Sequence, residues 1–189
     1  MSDGGGAGAI ASSGIIAATL ARAETYLALS TGRSASRRRL RKPVSRAMIV
    51  CYGNIYRSAF LGAWLAQRCA GRCEVRSSGL HANTGRPCPD RLLAQARARG
   101  LALDAHRSAR LSQADLGWAD LFVVMDRHNY HALRRLGVPR AKIAWAGAFT
   151  RGPLEIADPY DGDDAALART VERLVESGDQ IAAALGSTN

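Results

Sequence analysis

The sequence has 189 residues, of which 47% are hydrophobic, so it can form one globular domain with its own core and fits neither a disordered nor a membrane class of protein. Of the formal net charge of +10, residues 1–47 carry +6, from eight basic and two acidic residues, which leaves +4 for residues 48–189. This mildly basic remainder suits an anionic substrate, and no nucleic-acid partner is expected.

The N-terminal apolar stretch is not preceded by basic residues, and Arg22 and Glu24 interrupt it. Neither an export signal nor a transmembrane segment is therefore predicted. Without export, an even number of cysteines does not indicate disulfides, and a reducing, cytoplasmic location with free thiols is favoured. The four cysteines are Cys51, Cys69, Cys73 and Cys88.

Residues 1–46 are predicted to be a flexible, partly helical basic extension. Its parts are a Gly-, Ala- and Ser-rich tail over 1–13, a helix over 14–30 and a solvated basic linker over 31–46. Charge runs of this kind are usually only solvated, so no partner is assigned to the linker. Two alternatives stay open: contact with an anionic lipid surface or nucleic acid, and a translation start at Met48.

From residue 47 the pattern changes to short apolar runs that alternate with amphipathic segments. The run at 120–125 is apolar throughout, as expected for a strand buried on both faces. This alternation predicts an α/β fold, a three-layer sandwich with a four-stranded parallel sheet, over residues 47–189. Strands are predicted at 47–51, 73–79, 120–125 and 142–147, and helices at 58–70, at 89–99, after 125 to about 135, and at 164–185.

The segment CYGNIYRS, from Cys51 to Ser58, follows the first predicted strand and opens a helix. Ligands of open parallel sheets bind there, where a helix N-terminus offers unpaired N–H groups to an anion. The residues between Cys51 and Arg57 can curl into a nest of N–H groups, helped by Gly53 and by a self-bonding Asn54, and the Arg57 guanidinium can hold two phosphoryl oxygens. These features favour the Cys51 thiolate, to which the Ser58 hydroxyl can donate. The segment predicts a phosphate-binding loop with a cysteine nucleophile.

Four segments occur together in a familiar order: CYGNIYRS (51–58), RSSGL (76–80), ADLFVVMDRHNYHAL (119–133) and ADPYDGD (157–163). Over about residues 47–185 they resemble the low-molecular-weight protein tyrosine phosphatase family. The resemblance implies phosphotyrosine hydrolysis through a cysteinyl-phosphate intermediate. It also implies a flavodoxin-like fold of the phosphatase I type, and no metal or other cofactor.

The resemblance further implies a role for each residue of the site. Cys51 is the nucleophile, Arg57 the phosphate clamp, and Asp158 the general acid and base, in a loop that folds over the phosphate. Ile55 would form an apolar wall of the pocket, and Tyr160 would stack on an aromatic substrate. The substrate- and phosphate-binding residues are then Tyr52, Gly53, Asn54, Ile55, Tyr56, Ser58 and Tyr160.

Two positions depart from the family pattern. Tyr56 stands where the family usually has a second cysteine, so we expect oxidation of Cys51 to be harder to reverse. Ala59 stands where a proline usually follows the serine, so the helix lacks a preorganised first turn. Neither departure changes the nucleophile, the clamp or the acid. Asp120 and Asp126 flank the buried strand and either support the site or cap elements.

Two alternative functions stay open, an arsenate reductase-like enzyme and a non-catalytic phosphate-binding regulatory module. The first needs a relay of further cysteines, and no cysteine follows Cys88. The second has no need of Asp158. The cysteine and histidine spacings match no familiar zinc site. The partner that the resemblance implies is a phosphotyrosine-containing protein, for example a tyrosine kinase of polysaccharide export, whereas oligomeric state is not indicated.

Overall fold

The computed structural model describes residues 6–186, and for residues 6–18, 20 and 21 it describes only the backbone. Beyond one long N-terminal helix, short strands alternate with helices, as the sequence predicts. The elements in chain order are α1 (Gly6–Arg39), β1 (Arg46–Cys51), α2 (Arg57–Arg68), β2 (Glu74–Gly79), α3 (Asp90–Arg97), α4 (Gln113–Trp118), β3 (Leu121–Val124), α5 (Arg127–Arg135), β4 (Ile143–Trp145) and α6 (Asp164–Gly186).

The four strands form one parallel sheet in the order β2-β1-β3-β4. The chain leaves β1 towards β2 on one side and later returns to β3 on the other, so the strand order reverses at β1. In open α/β sheets, ligands bind in the crevice at the carboxyl end of such a switch point. Cys51, the last residue of β1, lies at that end of the sheet. The predicted four-stranded parallel α/β fold is confirmed.

The central strands are buried on both faces because helices cover the sheet on both sides. Every residue of β3 is buried, and in β1 only Arg46 is exposed. Helix α2 packs on β1 and β2 and against α6, whereas α5 packs on β3. Small residues permit the closest approaches: Gly178 of α6 lies directly against the Trp64 ring, and Gly62 lies against Ser77. The middle of α2 is therefore held by packing from two sides.

Helix α1 corrects the prediction for the N-terminal extension. The helix does not end near residue 30, and residues 31–39 are helical rather than a solvated linker. The predicted flexible tail over 1–13 is helical from Gly6 onward, and its first five residues lie outside the described part. Buried positions recur every four residues along the end of the helix and just beyond it: Ala28 is 4% exposed, Gly32 is buried, Ser36 is 0% and Leu40 1% exposed. Because most of this stripe is small or polar, it lacks the apolar periodicity that would have predicted it.

The docked helix covers the outer edge of β4. The backbone N–H of Trp145 donates to Ser36 Oγ at 3.0 Å, so a donor of the edge strand is satisfied by a side chain of the helix. Arg33 donates to the carbonyl oxygens of Ala148 at 3.0 Å and Thr150 at 2.7 Å. None of the helices within residues 6–186 has the length and apolar run needed to cross a bilayer.

Candidate active site

The Cys51 side chain is held inside the loop that connects β1 to α2. The residue is 2% exposed, and its Sγ accepts a hydrogen bond from the backbone N–H of Asn54 at 3.3 Å. The Ser58 hydroxyl, in the first turn of α2, lies 3.0 Å from the same sulfur. Loop and helix start thus place two polar groups on the sulfur, as an anionic thiolate requires.

Asn54 fixes the shape of this loop. It is the only non-glycine residue with positive φ (51°) among the described residues. Its Nδ2 donates to Ser58 Oγ at 2.9 Å and to Ser77 Oγ at 3.1 Å, and its Oδ1 accepts from Ala109 N at 2.9 Å. Because Ser58 Oγ accepts from Asn54, its own hydrogen is available to Cys51 Sγ at 3.0 Å or to the Ser78 carbonyl at 3.3 Å.

Arg57 is 1% exposed, and its guanidinium joins three parts of the site. Nη1 donates to Asp126 Oδ2 at 2.7 Å and to the Ile156 carbonyl at 3.1 Å, while Nη2 donates to Asp158 Oδ2. The buried Nε has no hydrogen-bond partner among the described residues. A buried N–H without an acceptor is costly, and an oxyanion bound in the loop would satisfy it.

The two aspartates that flank β3 have different roles. Asp126 caps α5 by accepting from Asn129 N at 2.9 Å, and it also pairs with Arg57. Asp120 lies at the other end of the strand, where it accepts from Arg46 N at 3.0 Å. The hydrogen bond from the Arg46 side chain is the main cause that lowers the pKa of Asp120. Only Asp126 belongs to the site.

Residues 157–163, here called the acid loop, are tied to the phosphate-binding loop by Arg91 of α3. Arg91 Nε donates to the Tyr56 hydroxyl at 2.8 Å, and its guanidinium carbon lies 5.2 Å from the centroid of that ring. The other nitrogens donate to acid-loop carbonyls, namely those of Pro159, Tyr160 and Gly162. Tyr56, which replaces the usual second cysteine, thus provides an acceptor that a thiol would match poorly.

A pocket of about 360 Å³ opens above Cys51. Exposed aromatic rings stand at its mouth: Tyr52 is 55% and Tyr160 59% exposed. The Tyr160 ring meets the ring of Tyr56 edge to face, with centroids 6.4 Å apart. The lining includes every residue of the loop from 51 to 56 except Asn54, together with His81, Arg86, Asp158, Tyr160 and Asp161. The structure therefore brings the sequence-predicted residues to one place.

The sequence analysis missed Asp161 of the pocket lining and four further residues around the loop. Arg86 donates to the Gly53 carbonyl at 2.8 Å, His106 Nε2 lies 2.7 Å from the Asn54 carbonyl, and Arg91 holds the acid loop. His81 packs edge to face on Tyr52, with centroids 5.3 Å apart. A signal existed only for His81, because it follows β2 at the same edge of the sheet as Cys51.

The remaining cysteines are buried and free. Burial raises the pKa of Cys69, raises that of Cys73 to about 11 and raises that of Cys88 to about 12. These thiols therefore stay protonated near neutral pH and are poor nucleophiles. Between residues 6 and 186, no three His, Cys, Asp or Glu side chains form a group that could hold a metal ion.

Comparison with known proteins identifies the family. The model of the family described as "Low molecular weight phosphotyrosine protein phosphatase" matches residues 46–189. Low molecular weight protein-tyrosine phosphatase A of Mycobacterium tuberculosis is 34% identical over 124 residues, which cover 60% of this chain and 75% of that protein. The probable low molecular weight protein-tyrosine-phosphatase EpsP of Ralstonia nicotianae is 30% identical over 120 residues, which cover 62% of this chain and 79% of that protein.

A solved structure of a tyrosine phosphatase has the same fold. The tyrosine phosphatase Wzb from Escherichia coli K30, in complex with sulphate, superposes with a TM-score of 0.68 at 25% identity, covering 74% of this chain and 97% of that one. Helix α1 lies wholly outside the region that the family model matches. The chain thus belongs to the low molecular weight phosphotyrosine protein phosphatase family.

Proposed function

We propose that Cys51 is the nucleophile of this protein tyrosine phosphatase, that Arg57 clamps the phosphoryl group, and that Asp158 is the general acid and base. The observation that supports this most is the position of Cys51 Sγ, which accepts from Asn54 N at 3.3 Å and lies 3.0 Å from Ser58 Oγ. These contacts stabilise a thiolate at the bottom of a pocket closed on one side by Asp158.

In the first step, the Cys51 thiolate attacks phosphorus and forms the S–P bond. The P–O bond to the aromatic ring breaks, and the oxygen takes its proton from the Asp158 carboxyl group. In the second step, the Asp158 carboxylate takes a proton from water, whose oxygen attacks phosphorus. The S–P bond then breaks, its electron pair returns to sulfur, and inorganic phosphate leaves. Ser58 donates to the sulfur while it is the leaving group.

Substrate binding changes the partners of Arg57. In the structure, Nη2 donates to Asp158 and Nε has no acceptor among the described residues. Phosphoryl oxygens compete with Asp158 for the guanidinium, as charge-assisted bidentate pairs with Arg are strong. Asp158 is then released towards the leaving oxygen, while Asp126 keeps Arg57 in place through Nη1. The phosphate itself would thus free the acid.

The pocket favours an aromatic phosphate ester. Ile55 forms an apolar wall, and Tyr52 and Tyr160 stand at the mouth with their rings exposed, where they can stack on a phosphotyrosine ring. Likeness to EpsP and Wzb supports a phosphoprotein as the substrate, and a tyrosine kinase of polysaccharide export is the candidate that the family implies. Four free cysteines support a reducing, cytoplasmic location.

The test is hydrolysis of p-nitrophenyl phosphate at mildly acidic pH with a chelator present, by the wild type, Cys51→Ser and Cys73→Ser. We expect turnover by the wild type and by the Cys73 variant, and none by Cys51→Ser, because only Cys51 lies in the loop. Phosphate binding without turnover in the folded, reduced wild type would refute the enzyme mechanism and leave a regulatory phosphate-binding module. Reduction of arsenate coupled to a thiol would instead support the reductase alternative, for which the three protonated cysteines are poorly suited.

A further inference from the structure

A second groove, here called the α1–α5 groove, lies beside the phosphate pocket. It has a volume of about 740 Å³ and is lined by residues of α1 and α5 and by the loops after β1 and β2. Tyr52 lines both this groove and the pocket above Cys51, so the two adjoin at that residue. A substrate chain that leaves the pocket past Tyr52 therefore enters the groove.

The α1–α5 groove carries positive charge that no acidic residue pairs with in the described part of the chain. Arg22 and Arg135 line it, and neither has a carboxylate within ion-pair distance among the described residues. Glu24, on the same helix, is already bound: it accepts from Arg134 Nε at 2.8 Å, which lowers its pKa. The cationic side chains thus remain available to an external anion.

His128 and His131 also line the groove, and burial and nearby positive charges lower the pKa of His131. His131 Nε2 lies 2.8 Å from Thr25 Oγ1, which links α5 to α1. Burial lowers the pKa of His131, and the positive charges of Arg135, His128 and Arg127 lower it further, although Glu24 acts in the opposite direction. Clustered positive charge at a rim selects acidic partners and speeds their association.

Apolar side chains line part of the groove, which favours a peptide over a free ion. Leu80 and Leu136 contribute to it, and Leu136 is 44% exposed. A large exposed leucine in the same lining as two arginines fits a chain that carries apolar and acidic side chains together. The groove also needs α1, which lies wholly before the family-matched residues 46–189. It is therefore a feature added to the common phosphatase domain.

We propose that the α1–α5 groove binds an acidic segment of the protein substrate next to its phosphotyrosine. The proposal rests on the proposed function, because it assigns a substrate preference to the same site. Arg22 and Arg135 provide the charge, and the leucines provide the apolar contact. The catalytic loop would then act on any aryl phosphate, whereas the groove would select which phosphoprotein is hydrolysed fastest.

The test uses two synthetic phosphotyrosine peptides of equal length, with either glutamate or glutamine at the flanking positions. Their kcat/KM values are compared for the wild type, for Arg22→Glu/Arg135→Glu, and for the control Arg38→Glu/Arg41→Glu. The control has the same net charge and changes exposed residues at the far end of α1 and just beyond it. Thermal unfolding and p-nitrophenyl phosphate turnover show that each variant is folded and keeps its basal activity.

We expect the wild type to prefer the glutamate peptide, and the groove variant to lose about 5- to 10-fold of that preference, as two exposed charge contacts would give. The preference should also shrink as salt is added. An unchanged preference, or an equal loss in the control, would overturn the proposal. Binding of both peptides to Cys51→Ser measures the same preference without turnover. Failure of the mechanism and failure of the groove can therefore be told apart.

Discussion

Arg91 offers the sharpest test of how the acid loop is held. Its guanidinium donates to three acid-loop carbonyls and to the Tyr56 hydroxyl, and its side chain is 27% exposed. In Arg91→Ala these contacts are lost, while Cys51 keeps its partners and Arg57 keeps Asp126. The acid loop should then spend less time with Asp158 over the phosphate, so the variant should fail mainly in protonating the leaving group.

The size of the effect follows from the contacts. Hydrogen bonds to charged groups contribute about 1.5–3 kcal/mol each. At a partly exposed position, water replaces some of the lost hydrogen bonds, so the net loss of stability is smaller. We expect the loss of three carbonyl contacts of Arg91 to destabilise the closed acid loop by about 2 kcal/mol. Its population then falls about 30-fold relative to the open loop. General acid catalysis contributes about 10²- to 10⁴-fold, so a 30-fold loss lies within what the acid provides.

The assay compares kcat/KM for phenyl phosphate, whose leaving group needs a proton, with kcat/KM for 2,4-dinitrophenyl phosphate, whose leaving group hardly does. This parameter covers the steps up to cleavage of the P–O bond. We expect Arg91→Ala to lose about 30-fold on the first substrate and less than about threefold on the second. The control is Arg97→Ala, which removes an exposed ion pair with Asp104 from the same helix. Equal losses on both substrates would refute the positioning role of Arg91.

Three further outcomes can be checked with simple variants and reagents. Iodoacetamide at pH 7 should label Cys51 alone, since burial raises the pKa of Cys88 to about 12 and keeps its thiol protonated; label at Cys69, Cys73 or Cys88 in peptide maps of the folded protein would contradict this. Arg33→Met should lower the free energy of unfolding in urea by about 1–2 kcal/mol, because its carbonyl contacts to residues 148–152 are lost, with kcat unchanged; equal stability to the wild type would contradict the docking of α1. Gly79→Ala should lower kcat/KM for p-nitrophenyl phosphate about 10- to 100-fold. A Cβ there would lie 2.8 Å from the Tyr52 carbonyl oxygen and would displace the phosphate-binding loop. Wild-type activity in this variant would show that the loop accommodates the methyl group without loss of function.

Much of the fold was predictable because the strands are short apolar runs between clear helix signals. All four strands were located, although β4 is only Ile143–Trp145 since the chain turns into a 3₁₀ helix at Ala146–Phe149. Helix α4 was missed: its capping box at Ser112 and Asp115 is visible in the sequence, but the helix buries no residue and so has no apolar stripe. The prediction ended helix α1 too early for a related reason: small residues, rather than an apolar stripe, pack it against the domain.

The residues of the site also fall into some that the sequence predicted and some that it did not. The loop from Cys51 to Ser58 is contiguous, so its chemistry follows from residue types at fixed spacing. Asp158 lies far along the chain and was located by resemblance alone. Arg86 and Arg91 had no signal, because each acts through one long side chain on a backbone carbonyl 33 to 71 residues away. Such contacts depend on tertiary structure and leave no local pattern.

The covering of β4 by α1 has a consequence for how the protein folds as it is synthesised. Contacts of Arg33 and Ser36 join residues 109 to 119 positions apart. The helix therefore leaves the ribosome long before its docking surface exists, and contacts of such long sequence separation form late. Until then the helix has only its own backbone bonds for support. We expect residues 28–40 to gain protection from hydrogen exchange only after the sheet has closed with β4.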